Sequence, residues 1–238
     1  MDILGTYGRD MLIGTADGDD IFGLLGPDTI YGGSGDDGIL GDFHINPPPF
    51  VPAPEFENSN DRIFGQSGND YIGGDAGNDY LVGGSGNDYV EGGGSGGDGD
   101  DIIIGGTGID RLRGNEGANQ FYFGRHDSDT VDFGQADTID DFTSDDTIYL
   151  QGNYTYSGNT STPAEGQYSV WQLGDDHVVT WRITGEATYH DVVVMGDDPT
   201  GHVSNYFRLP FVGEFAFQHV DSIANVLSND FSDPMGGF

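Results

Sequence analysis

The residues best suited to chemistry in this chain are ten aspartates with regular spacing: Asp10, Asp19, Asp28, Asp37, Asp61, Asp70, Asp79, Asp88, Asp101 and Asp110. Each stands two residues before a large apolar residue: Leu12, Ile21, Ile30, Ile39, Ile63, Ile72, Leu81, Val90, Ile103 or Leu112. An eleventh unit ends in Phe121 and carries Asn119 in place of the acid. The unit is clearest in Gly32-Gly33-Ser34-Gly35-Asp36-Asp37-Gly38-Ile39-Leu40, and reads Gly-Gly-x-Gly-x-Asp-x-U-x with U large and apolar. A carboxylate is a hard oxygen donor, and a glycine-rich turn adds main-chain carbonyls. Calcium takes six to eight such oxygens at ~2.3–2.6 Å, whereas magnesium demands a tighter octahedron and keeps its waters. Zinc prefers nitrogen or sulfur ligands, and residues 1–122 contain a single histidine, His44.

The elements that must position these aspartates follow from the same period. The Gly-rich hexad suits a turn, because glycine reaches positive φ and permits close backbone approach. The x-U-x triplet suits a short strand whose middle residue points inward. Each repeat is then one turn and one strand, two repeats close one coil, and stacked coils form two parallel sheets facing each other across the U residues. The partner of each repeat is the next but one. One edge carries Asp10, Asp28, Asp61, Asp79, Asp101 and Asn119, and the other carries Asp19, Asp37, Asp70, Asp88 and Asp110. One turn cannot encircle an ion, but two stacked turns can. Adjacent members on the two edges give roughly nine candidate sites, whose ions would supply about +18.

Composition demands such compensation. The 238 residues hold 41 acids and seven bases, for a net charge of −34. All seven bases are Arg, and there is no Cys. The charge excludes nucleic acid as a partner and makes an anionic membrane surface unfavourable. Self-repulsion of this size destabilises a compact state unless cations are bound. Lack of Cys removes disulfides and thiolate sites. The start, Met1-Asp2-Ile3-Leu4-Gly5, has neither a basic segment nor an apolar run, so no cleavable signal peptide is expected. No apolar run approaches the ~20 residues of a membrane span.

Residues 1–122 hold 30 of the 42 glycines, and the later residues hold both Trp. The expected division is therefore a calcium-binding roll over 1–123 and a β-rich cap over 124–238. Two stretches interrupt the repeat: a Pro-rich loop over 43–59, including Pro47-Pro48-Pro49, and the insert Gly92-Gly93-Gly94-Ser95. Proline lacks an N–H, so the first cannot join a sheet. In the second part, residues 137–142, 146–150, 168–173, 177–183 and 191–195 read as strands, and 222–227 as a short helix. His177, His190, His202 and His219 raise the question of catalysis, but no His-Glu-x-x-His and no Gly-x-Ser-x-Gly is present. Trp171 and Trp181 are expected in the cap's core. Tyr71 and Tyr89 fall on one outward face, as sheet-surface tyrosines or a sugar-stacking platform. The Pro-rich loop, with Phe43, Phe50 and Phe56, is either a tolerated insert or an extended partner-binding segment.

The repeat resembles that of the RTX (repeats-in-toxin, hemolysin-type) family. The resemblance implies a parallel β-roll in which one turn of a site gives carbonyls from repeat positions two and four plus its Asp. The next turn gives carbonyls from positions one and three plus its Asp. Carried over, Gly33, Gly35 and Asp37 would face Gly65, Ser67 and Asp70, and Gln66, Gly68 and Asp70 would face Gly83, Ser85 and Asp88. The corresponding residues of the other turns begin with Thr6, Gly8 and Asp10, then Thr15, Asp17 and Asp19. They continue through Gly23, Leu24, Leu25, Gly26 and Asp28, then Gly32, Ser34 and Asp61. Next come Gly74, Asp75, Ala76, Gly77 and Asp79, then Gly84, Gly86, Gly96, Gly97, Asp98, Gly99 and Asp101. The set closes with Gly105, Thr107, Asp110, Gly114, Glu116 and Asn119. Asp17 replaces a glycine, and the loop interrupts the repeat ending in Asp61. The segments 117–123 and 137–150 are similar to the region after the roll in serralysin-type proteases and alginate-epimerase R-modules. That likeness implies a cap, a C-terminal secretion signal and export by type I secretion machinery. Three readings of function follow: a non-enzymatic secreted protein that folds on extracellular calcium, with a structural, adhesive or self-assembly role; a polysaccharide-binding module; or an enzyme with an unrecognised site in 151–238.

Overall fold

The computed structural model describes residues 1–42, 59–93, 99–124, 127 and 136–206. Nineteen short strands and no helix occur among them. The helix expected over 222–227, most of the Pro-rich loop and His219 lie outside the described residues.

Successive strands alternate between two sheets. One holds β1 (Asp2–Leu4), β3 (Asp20–Phe22), β5 (Gly38–Leu40), β7 (Tyr71–Asp75), β9 (Tyr89–Gly93) and β11 (Arg111–Arg113) as neighbours. The other holds β2 (Met11–Ile13), β4 (Thr29–Ser34), β6 (Arg62–Ser67), β8 (Tyr80–Ser85), β10 (Ile102–Thr107) and β12 (Gln120–Phe123). All these pairs are parallel. Their register joins U to U: Ile21 to Ile39 to Ile72 to Val90 to Leu112, and Leu12 to Ile30 to Ile63 to Leu81 to Ile103 to Phe121. The expected parallel β-roll is therefore the fold. Neither insertion shifts the ladder, since Ile39 pairs with Ile72 across one and Leu81 with Ile103 across the other. From Ile21 onward every U side chain of the repeats is completely buried.

The ladders continue past residue 123. β13 (Asp137–Phe142) pairs with β11, and β14 (Thr147–Gln151) pairs with β12, both parallel. A two-residue strand, β15 (Thr155–Tyr156), pairs with β16 (Gln167–Leu173). β16, β17 (Asp176–Arg182) and β18 (His190–Gly196) form an antiparallel meander, and β18 lies parallel on β13. β19 (Val203–Tyr206) closes the second sheet on β14. Roll and tail share one core, running from Ile21 through Phe121, Phe142 and Trp181 to Val194. Trp181 is completely buried; Trp171 is only partly so, and donates its indole N–H to Thr180 Oγ1 at 2.9 Å.

The two outer faces differ. On the second sheet Phe64, Tyr80, Val82, Ile104 and Tyr122 form a buried apolar cluster. On the first, the outward residues include Asp20, Tyr71, Glu91, Arg111 and Arg113. Their pattern is polar because that face is solvated.

The tail covers an end that would otherwise expose Leu112, Phe121 and two strand edges. Cutting the chain after Gly124 is expected to leave a product that aggregates or needs severalfold more calcium to fold. A calcium titration followed by circular dichroism and sedimentation checks this; a monomer with an unchanged midpoint would refute the capping role.

Candidate calcium centres

Each repeat aspartate sits where the turn enters its strand, and stacking puts it beside its equivalent one coil away. The main-chain N–H of Asp10 donates to Asp28 Oδ1, Asp28 to Asp61, Asp61 to Asp79, Asp79 to Asp101 and Asp101 to Asn119, at 2.7–3.0 Å. On the other edge Asp19 donates to Asp37, Asp37 to Asp70, Asp70 to Asp88 and Asp88 to Asp110, each at 2.8 Å. A hydrogen bond to a charged acceptor contributes about 1.5–3 kcal/mol, so these ladders help set the register.

Only one oxygen of each carboxylate is used this way. The Oδ2 atoms of Asp28, Asp37, Asp61, Asp70, Asp79, Asp88, Asp101 and Asp110 are buried with no hydrogen-bond partner. They face other oxygens. A β-carbon added to Gly32 would lie 2.5 Å from Asp37 Oδ2 and 2.6 Å from the carbonyl oxygen of Gly65 in the next coil. Carboxylate and carbonyl thus converge on one small space, and glycine is required beside it. The arrangement recurs at Gly23, Gly41, Gly65, Gly74, Gly83 and Gly92. At the next turn position φ is positive: +112° at Gly33, +79° at Leu24 and +78° at Gln66. Such donors suit a hard, oxygen-seeking cation. Among the described residues no group of three or more acid or histidine side chains could hold a metal by itself. Any site here must combine a carboxylate pair with main-chain carbonyls.

The electrostatics point the same way. Burial pushes the carboxyl of Asp61 up to about 9 and that of Asp88 to about 8, with neighbouring aspartates adding to the rise. Burial likewise raises Asp28, Asp70 and Asp101 to about 7 and holds Asp79 well above the ordinary range. Without a cation these groups resist ionisation; a divalent ion between them reverses that preference.

The residues expected as ligands fall into four groups. Most of the turn residues, including Gly33, Gly35, Gln66, Gly68, Gly84, Gly86, Gly105 and Thr107, stack coil on coil beside the carboxylate columns. Thr6 and Thr15 instead clasp their own aspartates: each gives its N–H and its hydroxyl to Oδ2 of Asp10 or Asp19, at 2.6–2.9 Å. The N-terminal amine also sits 2.8 Å from Asp19 Oδ1. At Asn119, Oδ1 accepts from Asp101, so the amide nitrogen stands where the aspartates present Oδ2. An amide nitrogen is no ligand for a hard cation. Gly96, Gly97 and Asp98 lie outside the described residues, and Gly92 takes the place beside Asp101 expected of Gly96.

Sequence reasoning missed two kinds of residue. Asp137 and Asp146 extend the ladders, accepting from the N–H of Asp110 and Asn119 at 2.8 Å. Asp137 Oδ2 is again buried without a partner, while Asp146 Oδ2 is clasped by Thr143. The signal was present as Asp-Thr-Ile at the usual offset, without its glycines. A second, exposed column lies one residue earlier: Asn87 donates its N–H to Asn69 Oδ1, Asn69 to Asp36, and Asn78 to Asn60, at 2.8–2.9 Å. The recurring Gly-Asn-Asp of the repeats was its signal. His190, weighed as catalytic, is completely buried and stacked on Trp181 at 5.4 Å.

The family model for the RTX calcium-binding nonapeptide repeat (4 copies) matches residues 13–43, 57–90 and 95–125. These repeats are RTX repeats. No curated protein sequence matches the chain. Among solved structures, it is similar to the AlgE6R2 subunit of the Azotobacter vinelandii mannuronan C5-epimerase, at 20% identity and TM-score 0.33. That match covers 85% of this chain and 91% of the other. The AlgE6R3 subunit of the same enzyme matches at 20% identity and TM-score 0.30, over 90% and 88%. The extracellular lipase LipA of Serratia marcescens matches at 17% and 0.31, over 85% of this chain and 40% of that one. With its RTX repeats and stacked carboxylates, the protein is a calcium-binding β-roll.

The two edges are expected to respond separately to mutation. Asp70→Ala removes a carboxylate between Asp37 and Asp88 and strands the Asp37 N–H, a loss of ~1–3 kcal/mol. An anomalous-scattering map should lose the ions flanking residue 70 and keep those beside Asp79; the reverse pattern would overturn the assignment.

Proposed function

We propose that this is a secreted, non-enzymatic RTX protein whose roll folds when it meets extracellular calcium, with a structural, adhesive or assembly role. The observation that carries the reading is the pair of columns of buried, unpartnered Oδ2 atoms. Each repeat orders nine residues around one large apolar side chain, too little burial to offset the chain entropy as well as the stacked carboxylates. Several calcium ions, held by the paired aspartates and turn carbonyls, would supply the missing free energy. A cytosol poor in free calcium would keep the chain open for export through a type I secretion channel. The expectation is a largely disordered chain in EGTA and a cooperative gain of β-structure in millimolar calcium. A native β spectrum in the chelator would refute this.

A second reading, binding of a polysaccharide, is favoured by one strip on the solvated outer face. Tyr71 is 47% exposed and lies parallel on Tyr89 at 5.2 Å, and the Arg111 guanidinium sits 5.6 Å over the Tyr89 ring. Exposed, stacked aromatic faces beside groups that hydrogen-bond suit a sugar ring. Binding to a glycan array in calcium, weakened about tenfold by Tyr71→Ala at unchanged fold, would separate this reading from the first; no retention on any glycan would eliminate it.

A further inference from the structure

We infer that the outer face of the first sheet carries a slot for a guanidinium cation, presented by an arginine of a basic partner protein. The inference rests on the calcium-folded roll. The slot lies in the row of outward residues that precede U. From β3 to β11 that row reads Asp20, Gly38, Tyr71, Tyr89 and Arg111. The Tyr71 and Tyr89 rings lie within 4° of parallel with centroids 5.2 Å apart, so each has one face turned away from the pair. On the Tyr89 side the place is taken: the Arg111 guanidinium stands 5.6 Å from the ring centroid. Arg111 in turn donates its Nε–H to Asp140 on β13. Running outward, this end of the stack is tyrosine, cation, carboxylate.

The other end repeats that order without its middle member. Outward from Tyr71 comes Gly38, which has no side chain, and then Asp20. Among the described residues, a β-carbon on Gly38 would meet only two atoms within 4 Å beyond its chain neighbours: Asp20 Oδ1 at 3.0 Å and the Asp19 carbonyl oxygen at 4.0 Å. The Asp20 carboxylate thus leans over the glycine, and no atom of Tyr71 comes as near. Leu40, two residues along β5, bounds one side, with its Cδ2 lying over Gly73. Tyr71 is 47% exposed, and its hydroxyl donates to Glu91 Oε2 at 3.3 Å, which holds the ring upright.

The occupant follows from these walls. Neighbouring strands stand about 4.8 Å apart, which leaves over Gly38 the thickness of one flat group. A guanidinium is planar, stacks on an aromatic face and pairs with a carboxylate; an ammonium is a compact, strongly hydrated point charge. The chain itself uses arginine for the equivalent place beside Tyr89. A neutral sugar would stack on Tyr71 but leave the Asp20 carboxylate unused. The net charge of −34 draws basic chains toward this surface over a longer range.

The test is fluorescence anisotropy of labelled hexa-arginine with the full chain in calcium, at about 150 mM salt, where the Debye length is about 8 Å. Hexa-arginine should bind at least about fivefold more tightly than hexa-lysine. Tyr71→Ala and Asp20→Asn should each weaken it about fivefold at unchanged circular dichroism. Gly38→Leu, which fills the slot, should abolish the preference for arginine. Asp175→Asn, which removes the same charge from the turn between β16 and β17, should change nothing. Gly38→Arg should supply the missing cation from within, abolish the preference and raise the thermal midpoint above that of Gly38→Gln. Equal binding of the two peptides, or equal loss with Asp175→Asn, overturns the inference in favour of unspecific charge attraction. Gly38→Arg no more stable than Gly38→Gln overturns it too. Tyr71-dependent retention of a neutral glycan without binding of hexa-arginine overturns it and leaves the polysaccharide reading standing. A chain that stays unfolded in calcium overturns the folding reading along with it.

Discussion

The structure depends on an aspartate that divides its two oxygens between different tasks. Oδ1 of Asp70 accepts the N–H of Asp37 in the coil before, while Oδ2 is buried beside the Gly83 carbonyl with no protein donor. The first contact fixes the stacking register, and the second leaves a charge that the protein does not compensate. Glycine is required at Gly65 because a β-carbon there would strike both Asp70 Oδ2 and the Gly83 oxygen. The repeat length follows as well. A shift of one residue would move the carboxylate off its column and turn the U side chain to solvent. Insertions are tolerated only where they leave this contact intact, as between Asp28 and Asp61, whose ladder bond spans the Pro-rich loop at 2.7 Å.

A column built this way must also end. At its start Thr6 and Thr15 give two donors each to the first aspartates, and at its far end Thr143 does the same for Asp146. These clasps satisfy by hydrogen bonding an oxygen that elsewhere is buried with no partner in the protein. Asn119 achieves a related result by substitution: it keeps the ladder bond and replaces the charged oxygen with an amide nitrogen. Fold and ion binding are thus separable at the level of single residues. The stacking contact needs only one oxygen, and whether a site exists depends on what occupies the other position of the side chain.

The roll was legible in the sequence because its period writes the same physical requirement many times over. The two-edge assignment, the inward column and the tolerance of both insertions follow from the spacing of Asp and U alone. What was not legible depends on contacts that occur once. Thr6 and Thr15 occupy the second turn position like Gly33, and nothing in the spacing shows that a hydroxyl will turn back onto its own aspartate. Gly92 and Gly96 both fit the pattern before Asp101, and only the stacking beside Gly114 distinguishes them. Asp137 and Asp146 lost their glycines, so a motif search stops at Asn119 although the ladders continue. The tail's strands β15 and β19 are short, and pairing rather than propensity places them.

If the aspartates hold calcium as proposed, shared ligands would give the assembly its mode of response. Each interior aspartate borders two spaces: Asp70 faces Asp37 on one side and Asp88 on the other. An ion in one space would order a carboxylate that the next space also uses, so occupancy would propagate along an edge as in a one-dimensional array with nearest-neighbour coupling. The two edges share no carboxylate, yet the U residues of both meet in one core. Half a coil cannot bury Ile72 without its neighbours Ile63 and Leu81 across the sheets. Ions on one edge would therefore favour order on the other through packing, although no charge is shared. Two ladders joined by an apolar column would then fold in a narrower range of calcium than separate sites of equal affinity, because a coil held on one edge alone leaves its core side chain exposed.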